Sequence, residues 1–240
     1  ARPKAPVNPP PSSVSAIPLP HFNPDRSDHQ HIAKALRQAL SQPQGPVAPK
    51  ALERVKQLGQ LSLTSRQIVD LRPMAGLKEL RELWLMDNQI TNIQALTSLT
   101  KLRSLWLHGN QVADLTPIQD LRSLRELVLS ANRIRDLTAL AGPPQLEALH
   151  LSGNKIPRLE PLSRFTRLRT LDLSSNRITD PRGLERCLSL ENLNLGHNKV
   201  TNLNVLRSLT ALKNLTLDNN PVHDLASLAP CRNLESLSVP

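Results

Sequence analysis

The sequence predicts an α/β fold, a curved right-handed solenoid in which a parallel β-sheet lines the concave face and short turns cover the convex face. The first observation is a period: leucine recurs every 22 residues, at positions 58, 80, 102, 124, 146, 168, 190, 212 and 234. The second is that each of these leucines begins the same phrase of leucines, polar residues and asparagine. The third is a scarcity of aromatic residues, which are 2% of the 240 residues. Stacked leucines must therefore fill the core.

The phrase predicts a strand followed by a turn, and we number its places from the recurring leucine. In Leu80-Arg-Glu-Leu83-Trp-Leu85-Met-Asp-Asn88, the leucines at places 4 and 6 point to the core, and places 3, 5, 7 and 8 face the concave side. The asparagine at place 9 can bond backbone groups that would otherwise be buried without partners. It recurs as Asn88, Asn110, Asn132, Asn154, Asn176, Asn198 and Asn220, and Arg66 replaces it in the first phrase.

The return segment after each asparagine is short. A period of 22 leaves about 11 residues for it, so we expect 3₁₀ turns or very short helices on the convex face. Aspartates at positions 70, 114, 136, 180 and 224 are placed to cap these turns. Pro181 stands where other repeats have leucine or isoleucine, and it should deform the coil locally.

The chain is predicted to have three parts. Residues 1–24 contain eight prolines and are predicted to form a disordered, Pro-rich tether. Residues 25–57 are predicted to form a helical N-terminal cap, because a repeat array needs a unit that covers its apolar end. Residues 58–240 are the repeat domain, with eight complete 22-residue repeats and a partial ninth.

The cap is predicted to contain two helices. Between Asp28 and Leu40, apolar residues that include Ile32 and Leu36 recur on one helical face. A second, shorter helix is predicted over residues 49–57.

The phrase L-x-x-L-x-L-x-x-N-x-L resembles that of the leucine-rich-repeat family, and the resemblance covers residues 58–240. With the helical cap and a Gln-Pro-Gln-Gly loop at 42–45, the chain resembles the internalin-type surface proteins of bacteria. This resemblance implies a secreted, periplasmic or cell-surface interaction module that binds a protein ligand through its concave face. The repeat is equally similar to that of an intracellular regulatory subunit of a eukaryotic protein phosphatase, which implies the alternative of an intracellular protein that wraps an enzyme.

Several classes of function are not predicted. No apolar stretch approaches the roughly 18 residues that a membrane span needs. The sequence lacks the Gly-rich phosphate loop, the zinc-binding H-E-x-x-H motif and the nucleophile elbow. We therefore expect no enzyme, no cofactor and no metal site.

The cysteines and the first histidines have structural interpretations. Cys187 and Cys231 stand at equivalent places two repeats apart, which puts them roughly 10 Å apart, beyond the reach of a disulfide, and predicts buried thiols. His29 and His31 do not share a helical face, so they are predicted to belong to a solvated helix start rather than to a metal site.

Place 5 carries the main candidate binding site. Both tryptophans of the protein, Trp84 and Trp106, fall at this place in adjacent repeats. An exposed aromatic cluster on a Ser/Asn-rich sheet is typical of a binding hot spot, although a chance pair of surface rings is the alternative. The predicted partner-binding residues are Trp84, Trp106, Met86, His108, Val128 and His150, with Asp87 and Glu82 at the rim.

Place 10 carries a second candidate, which we call the basic ridge: Arg133, Lys155, Arg177 and Lys199. It predicts contact with an acidic partner, whether a protein or another polyanion, against the alternative of a solvated flank. The net charge of +10 would also suit nucleic acid. Half of that charge lies in residues 1–57, so binding of nucleic acid by the repeats is not favoured.

The ninth phrase supplies a strand and then stops before its asparagine turn. The unpaired backbone groups of its outer edge should face solvent. Such an edge can pair with a strand of another chain, and native proteins usually cover it. We expect the natural chain to continue, this end to self-associate, or Pro240 to blunt the edge.

Overall fold

The computed structural model describes residues 21–40 and 49–239. Most of the predicted tether and the loop at 42–45 lie outside these residues, and the division of the chain into tether, cap and repeat domain stays a prediction. The predicted solenoid is confirmed by a parallel sheet of nine strands in chain order. The strands are β1 Gln60–Ser62, β2 Glu82–Trp84, β3 Ser104–Trp106, β4 Glu126–Val128, β5 Ala148–His150, β6 Thr170–Asp172, β7 Asn192–Asn194, β8 Asn214–Thr216 and β9 Ser236–Ser238.

The register of the sheet repeats the 22-residue period. Leu61 pairs with Leu83, and Leu83 pairs with Leu105, so that one leucine lies above the next along the core. The residues on either side of these leucines point to the concave face in straight columns. The sheet therefore turns the period in the sequence into rows of equivalent side chains.

The convex face consists of short 3₁₀ turns, as the length of the return segment predicted. They are Arg72–Met74, Gln94–Ser98, Thr116–Ile118, Thr138–Ala141, Glu160–Arg164, Asn204–Ser208 and Ala226–Leu228. Asp114 illustrates the predicted capping, because its Oδ1 accepts from the backbone N–H of Thr116 at 2.8 Å. Between β6 and β7, where Pro181 stands, the described residues form turns without a 3₁₀ helix.

The asparagines form the predicted ladder between repeats. The amide of Asn110 donates to the carbonyls of Leu85 at 2.8 Å and Leu107 at 3.0 Å, and its oxygen accepts from the N–H of Ile90 at 3.0 Å. One buried side chain thus satisfies backbone groups of its own repeat and of the repeat before it. Asn88 does more, because its oxygen also accepts from the N–H of Arg66.

Place 8 is left-handed in all eight repeats that have it, which the sequence analysis did not predict. Its φ angles lie between 52° and 67°, in Ser65, Asp87, Gly109, Ala131, Gly153, Ser175, His197 and Asn219. Glycine adopts this conformation freely, and asparagine, aspartate and histidine are enriched in it. The remaining three positions hold Ser65, Ala131 and Ser175, so the signal in the sequence is weak.

The cap contains the two predicted helices, α1 Ser27–Ala39 and α2 Pro49–Lys56. Ile32 and Leu36 of α1 are buried in the same core cluster as Leu61 and Leu63 of the first repeat. The cap thereby extends the leucine core past the first strand.

His29 contradicts the prediction of a solvated helix start, because it is 0% exposed. Its Nδ1 accepts from the backbone N–H of Asn23 at 2.9 Å, so Nε2 carries the proton that it donates to Asp70, 3.0 Å away. The ring also lies against Phe22. Contact between α1 and the first repeat buries this side of the helix, and helical spacing alone could not show which side that is. The ring of His31, partly buried, contacts the carbonyl oxygen of Arg66.

Two carboxylates complete this junction between cap and repeats. Asp28 accepts from the guanidinium of Arg26 and from the backbone N–H groups of Val69 and Asp70. Burial alone would raise the pKa of Asp28, but these hydrogen bonds hold it well below its usual range. Burial also opposes ionisation of Asp70, yet hydrogen bonds from Arg72 and His29 lower its pKa to about 2. Both groups are therefore anions that the folded state stabilises.

Candidate protein-binding surface

The two tryptophans form a stacked pair at the concave surface. Trp84 of β2 pairs in register with Trp106 of β3, and their ring centroids lie 5.0 Å apart with an angle of 4° between the planes. Both side chains are partly exposed, since the strand alternation that buries the leucines turns place 5 away from the core. The pair offers a broad apolar ledge without a hydrogen-bond requirement beyond the indole N–H groups.

The structure places most of the other predicted residues around this ledge. Val128 and His150 continue the Trp column in register, and both are partly exposed. Met86 follows at place 7 and is also partly exposed, while His108 at the same place of the next repeat is more open to solvent. Their arrangement in adjacent columns makes one continuous surface over β2 to β5.

The two predicted rim residues lie on opposite sides of the ledge. Glu82 is at place 3 of β2, partly exposed. Asp87 is exposed in the left-handed position after the strand, and its carboxylate lies over Gly109 of the next repeat. A Cβ on that glycine would lie 2.5 Å from the Asp87 carboxylate oxygen, so a larger residue there would require the carboxylate to move aside.

The floor of the concave face is acidic, which the sequence analysis did not single out. At places 3, 5 and 7 of the described repeats, the charged residues are Glu82, Glu126, Asp172 and Asp218, and none is Lys or Arg. Asp172 is held by Ser174, whose hydroxyl donates to its Oδ1 at 2.8 Å. A ligand on this floor therefore meets an apolar ledge at one end and carboxylates beyond it.

The basic ridge lies along the edge where the strands end. Backbone bonds keep its places in register: the N–H of Lys155 donates to Ile134 and that of Arg177 donates to Ile156, at 2.9 and 3.0 Å. Within residues 21–40 and 49–239, the four ridge side chains form no ion pair.

The opposite edge differs from β4 onwards, because its cations there are paired. Arg169 and Lys213 both contact Glu191, at 2.9 and 2.7 Å, and Arg125 contacts Glu147 at 3.3 Å. Positive charge is therefore left uncompensated on the ridge edge of β4 to β7.

The two cysteines have a structural role. Both cysteines are buried free thiols, as predicted, and each lies 3.5 Å from a backbone carbonyl oxygen, Leu162 for Cys187 and Leu206 for Cys231. Burial, with the nearby Glu185, raises the pKa of Cys187 to about 12, which makes it a poor nucleophile. In the described part of the chain no cluster of side chains could hold a metal ion. No helix there is long and apolar enough to span a membrane.

The family description "Leucine Rich repeats (2 copies)" matches residues 100–142 and 144–186. Among solved structures, internalin C2 from Listeria monocytogenes has a TM-score of 0.83 and 27% identity, over 95% of this chain and 96% of that one. Internalin F from the same species has a TM-score of 0.71 and 27% identity, over 87% of this chain and 68% of that one. A sequence search found no match among curated proteins.

A plant receptor is a third similar structure. The leucine-rich-repeat ectodomain of the membrane receptor kinase GASSHO1/SCHENGEN3 from Arabidopsis thaliana, in complex with CASPARIAN STRIP INTEGRITY FACTOR 2, has a TM-score of 0.68 and 25% identity. The match covers 80% of this chain and 25% of that one. The internalin C2 match spans nearly the whole chain, so the likeness extends beyond the repeats. The chain is a leucine-rich-repeat protein-interaction module with an internalin-like fold.

Proposed function

We propose that this protein is a non-enzymatic, exported bacterial binding module that recognises a protein ligand through its concave face. The observation that carries the proposal is the stacked pair Trp84 and Trp106, partly exposed on a sheet whose other columns are rich in serine and asparagine. Rigid, partly exposed aromatic rings are the side chains most often found at the energetic centre of protein interfaces.

The similar structures support the proposal that the protein is a binding module. The plant ectodomain was solved in complex with CASPARIAN STRIP INTEGRITY FACTOR 2, and the internalin C2 structure matches 95% of this chain. Export follows the same likeness. Determining the complete gene tests it: a signal peptide would support export, and a start codon followed directly by folded sequence would favour the alternative, an intracellular subunit that wraps an enzyme.

The binding surface can be tested without a known partner. A random 12-residue peptide library displayed on phage is selected on the immobilised protein, and selected peptides are titrated against the fluorescence of Trp84 and Trp106, the only tryptophans in the chain. Trp84→Ala and Trp106→Ala should each weaken binding about thirtyfold, the equivalent of about 2 kcal/mol. These variants are measured by calorimetry.

Controls come from the later repeats of the same column. Asp172→Ala and Asn194→Ala should leave the affinity within about twofold, since neither lies under the ledge. If those two variants weaken binding and both tryptophan variants bind normally, the ligand site lies in the later repeats and the proposal fails.

The unpaired basic ridge favours a second candidate function, contact with an acidic partner. A polyglutamate peptide is a suitable probe. Binding through Arg133, Lys155, Arg177 and Lys199 should weaken steeply as the salt concentration rises. These cations would attract the carboxylates of the probe through water, where salt screens the attraction. Affinity that is unchanged between low and high salt would remove this candidate.

A further inference from the structure

A crevice of about 360 Å³ lies between the cap helix and the first strand, beside the tryptophan ledge. Ala35, Gln38 and Ala39 of α1 form one side of it, and Leu61 and Trp84 form the other. The crevice stays open because the alanine side chains are small, and a longer side chain at these positions would occupy the space. The crevice therefore continues the surface of Trp84 towards the cap.

Arg66 also lines this crevice. Its backbone is fixed, because its N–H donates to Asn88 and its carbonyl oxygen contacts the ring of His31. Its guanidinium forms no ion pair with any residue that the structure describes, and the side chain is partly buried. A cation in this setting has lost part of its hydration without gaining a counter-ion.

The same repeat holds a second unsatisfied group. The hydroxyl of Thr64, two residues before Arg66, is the buried side-chain oxygen that lacks a hydrogen-bond partner within the described residues. The other lining residues of the crevice carry no carboxylate. Among the described residues, the Arg66 guanidinium therefore has no counter-ion at the crevice, whereas the buried Thr64 hydroxyl does not line it.

We propose that this crevice binds an acidic side chain of a peptide segment whose neighbouring apolar residue packs on Trp84 and Trp106. The proposal rests on the proposed function, because it names a subsite of the same ligand. A guanidinium pairs with a carboxylate in a fork geometry, and Gln38 and Ser62 border the crevice with further donors. The floor beyond the ledge carries Glu126, Asp172 and Asp218, so an acidic ligand residue is favoured at Arg66 and disfavoured over the later strands.

The test uses the peptides selected on the 240-residue chain. Asp and Glu should be enriched at one position, next to an apolar residue, relative to the unselected library. Arg66→Gln should weaken binding of such a peptide about fivefold to tenfold, as expected for one charge-assisted contact at a partly exposed site. The same peptide with its acid replaced by the amide should lose affinity by the same factor, and should no longer distinguish Arg66→Gln from the wild-type protein.

Two variants keep the result interpretable. Lys78→Gln removes an exposed cation of the same repeat that does not line the crevice, and it should bind normally. Ala39→Leu fills the crevice without a change in charge, on an exposed helical position, and it should weaken binding as Arg66→Gln does. The melting temperature of each variant reports whether it is folded.

The two proposals fail in different ways. If tryptophan variants weaken binding while Arg66→Gln and Ala39→Leu do not, or if the selected peptides show no acidic position, the crevice is not a subsite and the ledge remains one. If Arg66→Gln weakens binding while both tryptophan variants bind normally, the ledge is not the site. If no peptide is enriched above a blank surface, both proposals are wrong for peptide ligands and fall together.

Discussion

The two ends of the sheet carry the same sequence phrase but differ in what covers them. At the first end, Leu61 of β1 is 3% exposed, because α1 packs Ile32 and Leu36 against the first repeat. At the other end, the equivalent Leu237 of β9 is 39% exposed. The difference shows that burial of a repeat's leucine is set by its neighbour and not by the phrase that contains it.

The open end also exposes residues around the last strand. Leu225 and Val239 are each 40% exposed, whereas their counterparts in earlier repeats are buried. Burying a leucine side chain contributes about 1.5–3 kcal/mol, so this end stabilises the fold much less than the capped end does. Self-association through this edge, which the sequence predicts, stays a prediction.

The largest expected effect compares one leucine from each end. Leu36→Ala should destabilise the protein by about 3 kcal/mol, because it removes a fully buried side chain and leaves a cavity under the cap. Leu237→Ala should cost less than about 1 kcal/mol, since that side chain is already partly solvated. Urea unfolding followed by circular dichroism measures both. Equal losses would mean that the last strand is covered in solution, and light scattering would then show a dimer.

A smaller effect is expected on the free energy of unfolding at acid pH, to which the capped end should be sensitive. The pKa of Asp70 is about 2 in the folded state and near 4 when unfolded, so the folded state binds fewer protons in this range. Its contribution, on the order of 2 kcal/mol, is complete above about pH 4 and is lost as the pH falls towards 2. The lowered pKa of Asp28 acts in the same direction.

Urea unfolding at several pH values checks this prediction. Asp70→Asn should be less stable at pH 7 and should lose less stability between pH 4 and 2 than the wild-type protein. Asp120→Asn, an exposed carboxylate in the middle repeats, is the control. A wild-type stability that stays constant through this range would contradict the assignment of the junction.

The smallest effect is kinetic and compares the two thiols. Cys187 lies in the middle of the array and Cys231 in the last return segment, and burial raises the pKa of both. Labelling in the native state requires local opening, which occurs most readily where few contacts hold a repeat. Single-cysteine proteins, made with Cys187→Ala or Cys231→Ala, should show Cys231 reacting with iodoacetamide at least about tenfold faster. Equal rates would show that the last repeat opens no more readily than the middle of the array.

The features that recur with the 22-residue period could be predicted from the sequence. The features that depend on contact between the cap and the repeats could not. The strands, the asparagine bonds and the stacking of Trp84 on Trp106 all follow from residues that are 22 apart. The burial of His29 does not, because it depends on the side of α1 that meets the first repeat. The crevice at Arg66 was missed for the same reason: its two sides come from the cap and the sheet, and no motif joins them.

The asparagine ladder also determines how a protein of this kind can change its length. Each amide donates to a carbonyl 25 residues earlier and accepts from an N–H 20 residues earlier, with the same offsets at Asn88 and at Asn220. Duplicating or deleting one whole repeat restores every such bond, because the new neighbours stand at the same places. An insertion within a strand or next to an asparagine would instead set a buried amide against the wrong backbone atoms. The array can thus grow or shrink by whole units of 22 residues with its ladder intact, and each unit changes the length of its concave face by about 4.8 Å.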